Sequence, residues 1–146
     1  HAAYEGLSEE VKHKLDGAIA VHDFANFRDR LIKEGKSEEE IKSFNEKYPM
    51  PEHPVIRTHP DTKKKAIYVN AAFTQYIKGW DERESKEMLN FLYAQASIPE
   101  YQCRFAWEEN SIAFWDNRAC QHYANSDYWP NIRKVERVTI IGDRPY

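Results

Sequence analysis

The sequence predicts a mainly β fold with inserted helices, and three observations carry that reading. Short apolar or alternating runs bounded by turn-formers dominate the second half of the chain. Capped helix signals fall in the first hundred residues, between shorter strand-like runs. No repeat and no low-complexity segment interrupts the pattern. A double-stranded β-helix, the jelly-roll type in which two sheets of short strands enclose a cavity, fits that distribution.

Leu7-Ser8-Glu9-Glu10 opens the first helix, with Ser8 as N-cap and acidic residues in the first turn. Gly17 stops it. Ala18 to Phe24 is short and apolar and reads as a buried strand. Arg28 to Lys36 is expected as a charged connection. Ser37-Glu38-Glu39-Glu40 has the form of a capping box for a second helix, which ends before Pro49. Prolines 49, 51 and 54 are expected to hold an extended linker.

Val55 to Thr58 and Ala66 to Asn70 flank Pro60-Asp61-Thr62-Lys63, giving two short strands and a turn. Asp81 and Glu84 start a third helix running to about Ala96, with Met88, Leu89, Leu92 and Ala96 as its core stripe. Pro99 ends it. Tyr101 to Glu108 and Ser111 to Asp116 are expected as strands separated by a Glu109-Asn110 turn. Two further strand arms follow, joined by a turn at Tyr128-Trp129-Pro130-Asn131.

Composition excludes several classes. The chain has 146 residues, 41% of them hydrophobic and 14% aromatic, which is the composition of one globular domain or part of one. A net charge of −3 argues against a nucleic-acid footprint, and Lys63-Lys64-Lys65 reads as a solvated turn. No apolar run is long enough for a membrane span, and no signal peptide is recognisable. Cys103 and Cys120 lie in apolar strand-like runs and are expected as buried free thiols in a reducing, cytoplasmic setting. No Gly-flanked serine stands at a strand-to-helix turn, and no Gly-rich phosphate loop exists.

The chemistry concentrates between Trp115 and Tyr146. Arg133, Val135, Arg137, Thr139 and Ile141 alternate with Lys134, Glu136, Val138 and Ile140. On a strand Arg133 and Arg137 share a face, about 13 Å apart along it. His122 is expected on the arm before the turn, so that one imidazole and two guanidinium groups reach the same cavity mouth. Guanidinium is a planar, permanently charged fork suited to carboxylate and sulfonate groups. The stretch thus reads as a metal ligand beside two anion clamps. The plainer alternative makes His122 a buried histidine bonded among its neighbours, and the arginines surface partners of Glu136 or Asp143.

WDNR-x3-H-Y-A, followed by R-x3-R-x-T-I-x-G-D, resembles the C-terminal signature of the taurine dioxygenase family, iron(II)- and 2-oxoglutarate-dependent oxygenases. The resemblance extends upstream through HPVIRTHP (His53 to Pro60), IYVNAAFT (Ile67 to Thr74) and AAYEGLS…AVHDF (Ala2 to Phe24). It begins in the middle of the family pattern. Residues 1–146 are therefore expected to form the C-terminal portion of a single domain, with the jelly roll incomplete in this chain.

The resemblance implies roles residue by residue. His122 is the distal histidine of a two-histidine, one-carboxylate iron(II) triad. Arg133 pairs with the distal carboxylate of 2-oxoglutarate, and Arg137 with the anionic head of the substrate. Phe73 forms an aromatic wall against the substrate and Phe27 an opposite one, with Trp115 and Asn117 supporting the site. Asp116 and Arg118 pair with each other. The remaining ligands should be an H-x-D pair. His59-Pro60-Asp61 has that form but lies in a turn and is rejected; His22-Asp23 has the wrong spacing. The implied partners are O2 and a small anion, taurine or another sulfonate most of all, whose hydroxylated carbon collapses to an aldehyde and sulfite. A homo-oligomer is compatible with this. The rival reading is a non-catalytic jelly-roll binding module that keeps the arginine pocket without iron.

Overall fold

In the computed structural model, which describes residues 1–146, three helices begin at a capping side chain foreseen in the sequence. Helix α1 spans Ala2–Glu5 and α2 spans Glu9–Lys14, with the Ser8 hydroxyl accepting from the Val11 N–H at 3.3 Å. Helix α4 (Glu38–Lys47) has a complete capping box: Ser37 Oγ accepts from Glu40 N at 3.2 Å, and Glu40 accepts from Ser37 N at 3.0 Å. Helix α5 (Glu82–Gln95) starts where Asp81 accepts from the N–H groups of Arg83 and Glu84. Gly17 follows α2 with φ of +68°, a conformation strained for any residue with a Cβ.

Strand β1 (Ile19–His22) lies between β2 (Glu52–Pro54) and β5 (Thr74–Ile77) in a three-stranded antiparallel sheet. Strands β3 (Ile56–Thr58) and β4 (Lys65–Ile67) form a separate antiparallel pair, joined by the expected turn. One core cluster comprises Leu7, Leu15, Ala20, Val55, Val69, Ile77, Leu89 and Leu92. Leu89 and Leu92 of α5 supply its helical side, Met88 packs against it, and Ser85 accepts from Ile77 N at 2.8 Å where β5 ends. Gly6 is required by close approach, since a Cβ there would collide with the Tyr101 hydroxyl.

Four expectations are corrected. Residues 28–36 are not a simple connection: helix α3 spans Ala25–Lys33. Its residues are good helix formers, Arg30 bonds Glu34 at 2.7 Å, and Arg28 forks back onto Asp23. The proline-rich stretch is more than a linker, because residues 52–54 pair with β1. Pro54 is tolerated at the end of an edge strand, where its missing N–H forfeits no ladder bond. The thiols of Cys103 and Cys120 are free as expected, but exposed rather than buried.

The largest correction concerns residues 102–146, which contain no helix or strand. The turn at 128–131 is present, closed by Asn131 N donating to Tyr128 O at 2.8 Å. The flanking arms and the strands expected at 101–108 and 111–116 do not form. A strand is defined by its ladder, and residues 132–142 make no backbone–backbone hydrogen bond in this chain. The sheets observed are small and antiparallel, and no closed jelly roll is seen. No helix is long and apolar enough to cross a membrane.

The alternating segment consequently presents apolar side chains to water: Ile132 and Ile141 are each 97% exposed and Val138 is 93% exposed. Contiguous exposed apolar residues with unpaired backbone template association. Residues 1–146 prepared by themselves should self-associate in light scattering. Substituting Ile132, Val138 and Ile141 by Lys should reduce that association severalfold at equal concentration. A soluble monomer with a sharp thermal transition would contradict this account.

Candidate functional site

The HPVIRTHP stretch ends β2, forms β3 and enters the turn after it. Arg57 on β3 and His59 one residue past its end are both buried, at 3% and 5% exposure. Each meets an aspartate far along the chain. Arg57 Nη2 lies 3.3 Å from both carboxylate oxygens of Asp143, with its guanidinium stacked 5.2 Å from the Tyr68 ring centroid. His59 Nδ1 accepts from the N–H groups of Asp61 and Thr62 at 3.2 and 3.1 Å. The neutral ring therefore carries its proton on Nε2, which donates to Asp116 Oδ2 at 2.9 Å. Both nitrogens are committed, which agrees with rejecting His59-Pro60-Asp61 as a metal pair.

Asp116 is further held by Arg118, as expected: the Arg118 N–H, Nε and Nη2 all donate to it at 2.8 to 3.1 Å. Arg118 also pairs with Asp61 at 2.9 Å. Arg118 first and His59 second hold the Asp116 carboxyl far below the usual carboxylate range. The 116–120 turn is closed by Ala119 and Cys120 donating to Asp116 O, and Gln121 Nε2 donates to Val69 O at 3.0 Å.

His122 follows this pinned turn. Its ring centroid lies 5.0 Å from that of Trp115, whose indole N–H donates to Asn117 Oδ1 at 2.9 Å. The imidazole itself is exposed. Arg133 and Arg137 are exposed too, on a segment that is not a strand here, so the same-face spacing argued for them does not apply in this structure. Phe73 and Phe27 meet the same residue: their rings lie 5.1 and 5.6 Å from Phe24, within an aromatic cluster that includes Phe44 and Tyr48. They form two sides of that cluster rather than two walls facing across a gap. Asn70 sets the turn before Phe73 by accepting from the Ala72 and Phe73 N–H groups at 3.1 Å.

No group of three or more His, Cys, Asp or Glu side chains in these 146 residues is placed to hold a metal ion. His122 alone does not make a complete iron site. Sequence reasoning gave no role to Arg57 and saw His59 only as a rejected ligand. The available signal was two ionisable residues two apart in an otherwise apolar strand, where burial obliges each to find a partner.

The motif pairs and their order define a class, and comparison makes it specific. The sequence model of the "Taurine catabolism dioxygenase TauD, TfdA family" matches residues 1–139, and the chain belongs to that family. It is 36% identical over 148 residues to an alpha-ketoglutarate-dependent sulfate ester dioxygenase of Pseudomonas putida, covering 99% of this chain and 48% of that protein. It is 43% identical over 95 residues to an alpha-ketoglutarate-dependent sulfonate dioxygenase of Saccharomyces cerevisiae, covering 64% of this chain and 23% of that protein. A crystal structure of a taurine dioxygenase from Burkholderia xenovorans superposes with a TM-score of 0.62 at 36% identity, covering 81% of this chain and 35% of that one. The chain spans 36 to 48% of the length of the curated relatives it matches over nearly its whole extent.

One buried polar group outside these contacts makes folding depend on pH. His22 on β1 is 7% exposed, T-shaped against His53 at 4.9 Å, and hydrogen-bonded to the Thr74 hydroxyl at 3.2 Å. Burial first, and the neighbouring His53 second, lower its pKa to about 4. Between its unfolded value near 6.5 and about 4, the unfolded chain binds a proton that the native one does not, so stability falls as pH falls through that window. Urea unfolding should show up to about 3 kcal/mol lost across it from this group. His22→Gln should flatten that limb, and an unchanged slope would assign the acid sensitivity elsewhere.

Proposed function

We propose that residues 1–146 are the C-terminal portion of a single jelly-roll domain that acts as an Fe(II)- and 2-oxoglutarate-dependent dioxygenase. Its substrate is a small organic anion, a sulfonate such as taurine or a sulfate ester, with O2 as the oxidant, in the cytoplasm. The observation that carries this reading is the family match from residue 1 to 139, over which curated relatives are named for 2-oxoglutarate with sulfonates or sulfate esters.

Within it, His122 is one iron ligand, and the other two come from outside these 146 residues. When bound, iron supplies the oxidising chemistry that side chains lack. The chain's own contribution is recognition. Arg133 takes the distal carboxylate of 2-oxoglutarate and Arg137 the substrate's anionic head, each through a charge-assisted fork that fixes the reacting carbon. Phe73 and Phe27 offer the apolar surface for the short carbon part of the substrate. This assignment requires the 132–141 segment to become a strand in the complete domain, which would restore the shared face of the two arginines.

The test follows succinate and oxidised product separately in the full-length protein. Arg133→Ala should weaken 2-oxoglutarate binding about tenfold or more, the worth of a charge-assisted contact of about 1.5–3 kcal/mol. Arg137→Leu should abolish oxidation of the anionic substrate while slow uncoupled succinate formation persists. Equal product with and without the Arg137 charge would overturn the anionic-substrate reading. Anion binding with no succinate from the wild type would leave a binding module.

A further inference from the structure

The segment from Asp116 to Tyr146 is attached to the folded half mainly near its two ends, and one short motif makes both attachments. At the first end, His59 holds Asp116 at 2.9 Å, Asp61 holds Arg118 at 2.9 Å, and the Val69 carbonyl holds Gln121 at 3.0 Å. At the second, Arg57 holds Asp143 at 3.3 Å and the Thr58 N–H donates to Tyr146 O at 2.8 Å. His122, Arg133 and Arg137 all lie between the two ends.

We propose that Arg57 and His59 are positioning residues: a two-point bracket, Arg57 on β3 and His59 just past its end, that fixes both ends of the segment carrying the candidate ligand and the two candidate anion clamps. The two points are close along the chain but held differently: Arg57 by β3, and His59 by the turn after it, whose Asp61 and Thr62 N–H groups fix its ring. Neither is cheaply left unpaired where it is buried, and each is matched by an aspartate on the far segment. His59 is directional, because its Nδ1 is occupied by backbone N–H groups and only Nε2 can reach Asp116. Arg118 reinforces the first point by holding Asp116 and Asp61 together.

The two points act on different parts of the site. The 116–121 end sets the turn that leads into His122, whose ring lies beside Trp115. The 143–146 end sets where the segment bearing Arg133 and Arg137 returns to the sheet. The inference rests on the proposed function only for what those residues bind; the bracket itself does not depend on it.

The experiment is peptide-resolved amide hydrogen exchange on the full-length protein without metal. It uses Asp116→Asn and Asp143→Asn, which leave the buried partners in place and keep the core intact, alongside His59→Gln and Arg57→Gln. Asp116→Asn and His59→Gln should each raise exchange about tenfold in residues 115–122 and leave 142–146 unchanged. Asp143→Asn and Arg57→Gln should do the converse. Iron(II) and 2-oxoglutarate titrations of the same variants should then split, the first pair weakening metal binding and the second 2-oxoglutarate binding. Unchanged exchange at both ends, or an equal rise at both ends and in α5, would overturn the bracket. Local exchange changes with unaltered metal and 2-oxoglutarate binding would uphold the bracket and overturn instead the roles given to His122 and the arginines.

Discussion

Two buried ionisable side chains, Arg57 on the three-residue strand β3 and His59 one residue past its end, are the constraint around which the second half of this chain is arranged. Arg57 is 3% exposed and His59 5% exposed, and a buried charge or ring N–H without a partner is costly. Their partners, Asp143 and Asp116, lie 86 and 57 residues downstream. The contacts that satisfy β3 therefore also close long loops, and they do so at two of the acidic positions that mark the family's C-terminal motifs. Burial of Arg57 is eased by the Tyr68 ring beneath its guanidinium, while its Nε remains without a protein partner.

This arrangement gives physical content to motifs otherwise recognisable only as strings. HPVIRTHP supplies the bracket, and the aspartates of WDNR and of T-I-x-G-D are what it grips. Arg118 of WDNR lowers the pKa of Asp116 by direct hydrogen bonds, which favours the carboxylate form that accepts from His59. His122 and the two arginines, by comparison, are exposed in this chain. His22, by contrast, is buried against the half-buried His53, and burial lowers the pKa of both.

Local signals were legible in the sequence and non-local ones were not. Ser8, Ser37 and Asp81 marked helix starts because a cap is made within three or four residues. The β3–β4 hairpin was readable for the same reason. Helix α3 was missed because its start carries no side-chain cap and its anchor, Asp23 on Arg28, is a tertiary contact. The alternation from Arg133 to Ile141 does indicate a strand, but alternation supplies only a face. The ladder must come from another segment, and in these 146 residues none lies alongside. Cys103 and Cys120 were misjudged through the same step, since their expected burial followed from strands that are not formed. Arg57 and His59 were visible as an i, i+2 pair, yet their partners could not be named without the fold.

The bracket is tested most directly by a double-mutant cycle on unfolding free energy, pairing Arg57→Met with Asp143→Asn in the full-length protein. If Arg57 is held in place chiefly by Asp143, the two substitutions should couple by about 1–3 kcal/mol, the range for contacting residues in one charged network. Additivity within about 0.3–0.5 kcal/mol would mean that the two side chains are neighbours without mutual dependence, and would contradict the claim that β3 organises the distal segment.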